Sequence, residues 1–135
     1  MKRAMAILTL ALVPTGSHAW DEAALDRLRE TKTCESCDLS GADLRWANVY
    51  EAELAGADNL VNAVLNGADL SGANLYGANL QGTALRGANL QGAEMSWANL
   101  RSADLNGADV TDAKFTGAIF CKTTMPDGSV NDDNC

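Results

Sequence analysis

Cys34-Glu35-Ser36-Cys37 is the stretch of this 135-residue chain whose residue types and spacing could do chemistry. Two cysteines separated by two residues can cycle between dithiol and disulfide, and a thiolate of lowered pKa in such a pair attacks other disulfides. Two further cysteines, Cys121 and Cys135, stand near the other end, and the single histidine is His18. Two distant cysteine pairs without a nearby histidine do not make a tetrahedral zinc site. Acidic residues outnumber basic ones 18 to 10, for a formal charge of −8. Asp38, Asp43, Asp69, Asp104 and Asp109, however, all occupy one recurring position where Asn stands elsewhere. A catalytic carboxylate pair needs a cleft that drives two pKa values apart, and a recurring outward position supplies none. The glycines fall at five-residue intervals rather than in a Gly-x-Gly-x-x-Gly phosphate cradle. The chain therefore offers no catalytic residue, no cofactor-binding set and no metal site, and is read as a non-enzyme.

The recurring position belongs to a repeat, Ala-(Asp/Asn)-Leu-x-Gly, as in Ala73-Asn74-Leu75-Tyr76-Gly77 and Ala88-Asn89-Leu90-Gln91-Gly92. Seventeen large apolar centres run from Leu39 to Phe120, spaced by five except for the six-residue step from Leu54 to Leu60. A helix turns ~100° per residue, so five-residue steps would scatter the leucines over every face. The ten glycines within the repeat would each cost a helix ~1 kcal/mol. A straight strand has a side-chain period of two, so an odd step would send alternate leucines to opposite faces. A chain that bends after every five residues keeps all of them inside. The alanine and leucine of each copy then point inward, the Asp/Asn between them points outward, and glycine sits near the bend. Such turns stack by strand-type hydrogen bonds, and no copy buries its apolar pair alone.

On these residues the chain resembles the pentapeptide repeat family from Cys37 to Phe120. The resemblance implies an all-β fold, a right-handed quadrilateral β-helix with four pentapeptides per coil and a little over four coils. At ~4.8 Å per rung the rod is ~20 Å long. The extra residue between Leu54 and Leu60 is expected to bulge outward at Asp58 or Asn59, because an inward Asp58 would lack a partner. Asn59, Asn79 and Asn99 are expected to stack as a structural ladder.

The ends carry their own signals. Lys2-Arg3, the apolar stretch Ala4 to Val13 and Ser17-His18-Ala19 have the form of a secretory signal peptide, 1–19. The apolar stretch is about half the ~20 residues a membrane span needs. Cleavage after Ala19 would remove Lys2, Arg3 and His18 and move the charge from −8 to −10. Segment 20–36 is expected to hold a short amphipathic helix with Trp20, Ala24, Leu25 and Leu28 on one face and Asp21 as cap, closing the open first coil. The solenoid then occupies 37–121, and 122–135 forms a C-terminal cap with a turn at Pro126-Asp127-Gly128.

An even cysteine count in an exported chain argues for disulfides, and four cysteines allow three pairings. The coil number implied by the resemblance puts Cys37 and Cys121 ~19 Å apart, against the ~4.4–6.8 Å between Cα atoms that a disulfide tolerates. Cys34–Cys37 and Cys121–Cys135 remain. Cys-x-x-Cys here follows a helix and runs into the first repeat, with Cys37 in an inward alanine position, a structural rather than a redox context.

Besides a thiol–disulfide active protein using Cys34 and Cys37, two functions are weighed. One is an exported module, periplasmic or secreted, that binds a protein partner through the outer faces as a monomer or weak dimer. Its candidate contact patch is Tyr76 and Trp97, which the resemblance places on one side in adjacent coils; Trp46 and Tyr50 are further outward aromatics. The other follows from the family, some of whose cytoplasmic members mimic DNA and inhibit gyrase. The signal peptide, the short rod and the lack of an apolar dimerisation helix count against it.

Overall fold

A computed structural model describes residues 22–34, 37–56 and 60–135 of the chain. The signal-peptide residues, Trp20, the Asp21 cap and the bulge at Asp58 or Asn59 lie outside the described residues.

From Thr33 to Thr124 the chain forms a right-handed quadrilateral β-helix whose sides join neighbouring coils by short parallel bridges. Thr33, Glu53, Asn74, Glu94 and Lys114 make one column (side one), and Asn79, Asn99 and Ile119 another (side two). Asp43, Val64, Ala84, Asp104 and Thr124 form side three, and Asn48, Asp69, Asn89 and Asp109 side four. Bridged partners are 20 residues apart between Thr33 and Glu53 and everywhere beyond Val64, but 21 apart for Asp43–Val64, Asn48–Asp69 and Glu53–Asn74. One coil thus absorbs the inserted residue, and the ladder resumes in register above it.

The corners from Leu39 to Phe115, Leu54 aside, solve the same problem. The centre's carbonyl accepts the N–H of the residue three further on, as in Ala42 to Leu39 and Ala78 to Leu75, each 3.0 Å. The residue between, two after the centre, has positive φ whether it is Gly77 (68°), Trp46 (62°) or Trp97 (63°). A positive φ at the third position alone, with an i to i+3 bond, defines a type II turn. Glycine is the usual residue there because a Cβ is penalised in the left-handed region.

Inside the coil the two residues of each copy meet in one core. Leu75, Leu80, Leu85 and Leu90 are buried, as are Ala73, Ala78, Thr83 and Ala88 beside them. Thr83 and Thr123 stand in alanine positions of side three. Their hydroxyls donate to the carbonyls of Leu60 (2.7 Å) and Leu100 (2.6 Å), so neither brings an unpaired polar group into the core.

Helix α1, Glu22–Thr31, buries Ala24, Leu25 and Leu28 in that same core, with Glu22 in its first turn and Arg29 in its last. At the other end the Phe115 and Phe120 rings lie 5.6 Å apart, tilted by 52°. A two-stranded antiparallel pair follows, β1 (Thr123–Thr124) with β2 (Val130–Asn131). Since Thr124 also bridges Asp104, the segment expected as a C-terminal cap continues side three upward. Val110, Phe115 and Phe120 stay partly exposed.

The outward Asp/Asn earns its recurrence by bonding along its own chain. Its side-chain oxygen accepts the N–H two residues on: Asp69 from Ser71 (3.0 Å), Asn79 from Gln81 (3.2 Å), Asp109 from Thr111 (3.0 Å). Asp and Asn share that oxygen, so either serves, and the bond fixes the approach to each turn. The Asn99 amide also donates to Asn79 (3.2 Å), two members of the expected ladder; Asn59 lies outside the described residues.

The charged members carry a pH dependence. The Ser71 hydroxyl and then its N–H hold the Asp69 carboxyl below the usual carboxylate range, and Ser40 does the same for Asp38. At Asp109 the Gln91 amide is the largest influence, followed by the Thr111 hydroxyl and N–H. A folded-state pKa below the unfolded one means a contribution that is complete above the unfolded value and lost as pH falls through the folded one. The urea midpoint should therefore drop on acidification from about pH 5 to pH 2. Asp38→Asn, Asp69→Asn and Asp109→Asn together should flatten that acid limb, since Asn keeps the acceptor. An unchanged acid limb in the triple variant would show that these bonds do not hold the turns.

Candidate interaction surface

The chemistry-bearing residues separate into places where they are consumed and places where they are free to meet a partner. The cysteines are consumed. The structure brings Cys34 to Cys37 and Cys121 to Cys135, with Cα separations of 5.5 and 4.8 Å, within the range of a disulfide. Cys34 and Cys37 are only 1% and 3% exposed, packed into the core cluster. Exchange requires a thiolate that another sulfur can reach, and this pair is closed off. Among the described residues no group of three His, Cys, Asp or Glu could hold a metal ion, and no helix is long and apolar enough to cross a membrane.

The basic side chains are partly engaged too. Arg45 pairs with Asp43 (2.7 Å) and Arg86 with Asp104 (3.1 Å), both on side three and the corner after it. Lys32 Nζ donates to the Asn48 carbonyl at 2.6 Å, near the start of the rod.

The exposed aromatics lie on turns. Tyr76 is 50% exposed and Trp97 59%, and both occupy the corner between sides one and two. The Gly77 N–H donates to the Ser96 carbonyl at 2.9 Å, which joins their two coils at this corner. The two rings do not stack as a pair. The Trp97 indole turns toward the following coil, where a Cβ on Gly117 would fall 2.6 Å from its Cδ2, whereas a Cβ on Gly77 would meet nothing within 4 Å. Trp46, 80% exposed, repeats the arrangement over Gly67 at the corner after side three. Each indole therefore rests on a glycine one rung higher and leaves its remaining surface to solvent. In the repeat, tryptophan takes the place of the bend glycine at both corners. The glycine one coil above, with no side chain to obstruct the ring, was the missed half of the pattern.

Side one joins a column of acidic and amide side chains to the aromatic corners. Its column places Glu53, Asn74 and Glu94 on consecutive rungs, with the Asn74 amide donating to Glu53 at 3.0 Å. Tyr50 and Glu51 border it at one corner, Tyr76 and Trp97 at the other. The neighbouring Glu51 carboxylate raises the pKa of the Tyr50 phenol. The Ser96 hydroxyl and then its N–H, with the Lys114 charge one rung above, hold Glu94 below the usual carboxylate range.

The seating of the indole has a measurable consequence. Gly117→Ala forces a Cβ against Trp97, whereas Gly87→Ala meets open space at a similar φ (71° and 66°). Both should cost the ~1–2 kcal/mol of a left-handed alanine. Gly117→Ala should cost more by urea denaturation, and the excess should vanish in a Trp97→Gly background. Equal costs in both backgrounds would mean that the indole lies elsewhere.

Comparison with known proteins agrees with this architecture. A model of pentapeptide repeats matches in eight copies, over residues 34–58, 59–92, 78–117 and 93–125. Among solved structures the chain is similar to HetL, a pentapeptide repeat protein involved in heterocyst differentiation regulation from the cyanobacterium Nostoc sp. strain PCC 7120. The identity is 33% over 73% of this chain and 51% of that one, with a TM-score of 0.39. The chain thus spans about half the length of HetL. It is also similar to the pentapeptide repeat protein Rfr23 from the cyanobacterium Cyanothece 51142, at 26% identity, 71% and 92% coverage and a TM-score of 0.46. A pentapeptide repeat protein of the Arabidopsis thaliana thylakoid lumen matches at 26% identity, 76% and 71% coverage and a TM-score of 0.33. No curated protein matches the chain. The matched copies cover the coils seen in the structure, from Cys34 to Met125, and the chain belongs to the pentapeptide repeat family.

Proposed function

We propose that this protein is an exported, non-catalytic module that acts by binding a protein partner through the outer faces of its solenoid, with Tyr76 and Trp97 at the contact. Family membership supports the mode of action, since pentapeptide repeat proteins are structural or interaction modules. The observation that carries the choice of surface is Trp97. A bulky residue at positive φ is a backbone outlier, and here it stands at a turn where most copies carry glycine. Most of the side chain remains in solvent, as suits a residue that is buried only by a partner.

Export rests on the leader-like segment 1–19 and on two cysteine pairs whose geometry suits an oxidising compartment. In that setting α1 closes the first coil, 37–121 is the working rod, and the segment 122–135 finishes it. A DNA-like role would need an acidic surface along the rod, and Arg45, Arg86, Arg101 and Lys122 interrupt it around side three.

The test is capture from cell-envelope extract by the immobilised mature protein. Trp97→Ala with Tyr76→Ala should keep the circular dichroism of the parent and lose at least 90% of the captured partner. Undiminished capture would place the contact elsewhere on the rod.

A further inference from the structure

We infer that side one takes a cationic, extended polypeptide segment of its partner, which lies along the rod axis between the Tyr50 and Trp97 corners. The inference rests on the interaction-module reading above and specifies its ligand.

Charge selects the class of partner. Glu51, Glu53 and Glu94 lie on or beside this side, and none of them takes part in an ion pair among the described residues. The arginines are placed elsewhere: Arg45 and Arg86 pair with carboxylates of side three, and Arg101, with Lys122, occupies the corner before it. Lys114 stands one rung above Glu94 and Lys32 precedes Thr33 at the other end, so lysines close both ends of side one, and none of the three carboxylates forms an ion pair with either. In a chain of formal charge −8, that field draws in basic segments and turns away nucleic acid.

The aromatics give the side its edges. The indole of Trp97 rests on Gly117 and keeps a solvent-facing surface, and Tyr76 stands one rung below at the same corner. An ammonium or guanidinium over such a ring gains a cation–π attraction, strengthened once water is excluded. Carboxylates in the centre with aromatic rings at the margin let one basic side chain satisfy both.

Spacing selects the conformation. Glu53 and Glu94 are two rungs apart in one column, about 9.6 Å at the usual strand separation. A polyproline II segment advances about 9.3 Å per three-residue turn and returns its side chains to the same face. Lysines or arginines at every third position would therefore meet successive carboxylates, with Asn74 between them to hydrogen-bond the peptide backbone.

The probe is a fluorescein-labelled peptide with lysine at every third position and proline between, titrated against the full mature protein by anisotropy. Its isomer with all lysines contiguous, a lysine-to-glutamate version and a neutral cello-oligosaccharide are run in parallel. The spaced peptide should bind more tightly than its isomer and weaken with added salt. Glu53→Gln with Glu94→Gln should reduce affinity at least tenfold, and Trp97→Gly or Tyr76→Ala severalfold. Asp38→Asn with Asp127→Asn removes the same charge away from side one and should change affinity less than twofold. Equal loss in that control would make the binding a net-charge effect and overturn the proposal. Preference for the contiguous isomer or the neutral sugar, or self-association in place of peptide binding, would overturn it too. If no peptide binds but Trp97→Ala with Tyr76→Ala still abolishes envelope capture, the module stands and the cationic ligand is wrong.

Discussion

Each corner of the rod requires one residue with positive φ, two places after the buried centre, and the remaining structure depends on meeting that requirement every five residues. A type II turn redirects the chain and aims the next alanine inward, and its i to i+3 bond satisfies the donor and acceptor that the bend takes from the ladder. Once the corner is fixed, the sides are too short to do anything but pair with the coils above and below. The inward pair of each copy then stacks upon itself. Glycine meets the requirement without strain. Where another residue holds the corner, as at Trp46 and Trp97, the fold accepts a backbone cost, and the side chain extends from the rod at its most accessible point.

Polar chemistry serves this geometry before it serves anything else. The outward Asp and Asn are committed to the N–H two residues on, which is why an acidic surface need not signify an acidic site. Asp43 and Asp104 have a second obligation to arginine. Glu53 and Glu94 differ because they form no ion pair among the described residues, although Lys114 follows Glu94 in their column, and the corners beside them carry exposed rings. The asymmetry of the rod, acidic and aromatic on side one and mixed in charge around side three, arises from which residues fill positions the core leaves unspecified.

The five-residue rhythm made the core legible in advance, because burial of alternate residues between bends is the one arrangement that hides every leucine. Leu75, Leu80, Leu85 and Leu90 are buried as that logic requires. The six-residue step from Leu54 to Leu60 foretold an insertion, and the bridge register locates its effect in the change from 21 to 20 residues per coil. The direction of the Trp97 ring was not legible. Tyr76 and Trp97 do share a corner, but the ring follows the open space over Gly117, and rotamer choice depends on a neighbour twenty residues away. The course of the tail was not legible either: pairing of Thr123–Thr124 with Val130–Asn131 extends side three, since a strand edge offers more bonds than the flat end of the rod. The hydroxyl bonds of Thr83 and Thr123 escaped notice because threonine and alanine fit the same inward space, and only the position of the carbonyl above or below reveals the partner.

The coil stands on its vertical register, which oxidative cross-linking of introduced cysteines measures directly. Gly92 donates to the Thr111 carbonyl at 2.9 Å and Glu51 to that of Ser71 at 2.9 Å, so residues 91 and 111, and 50 and 71, are adjacent across one rung. Rungs are about 4.8 Å apart, within reach of a disulfide. Gln91→Cys with Thr111→Cys, and Tyr50→Cys with Ser71→Cys, should each form a bond within the monomer under mild oxidation. Gln91→Cys with Arg101→Cys, half a coil away, should form none. Bonding of the 91–101 pair, or failure of both rung-adjacent pairs in folded protein, would contradict the four-sided coil and its single-residue change of register.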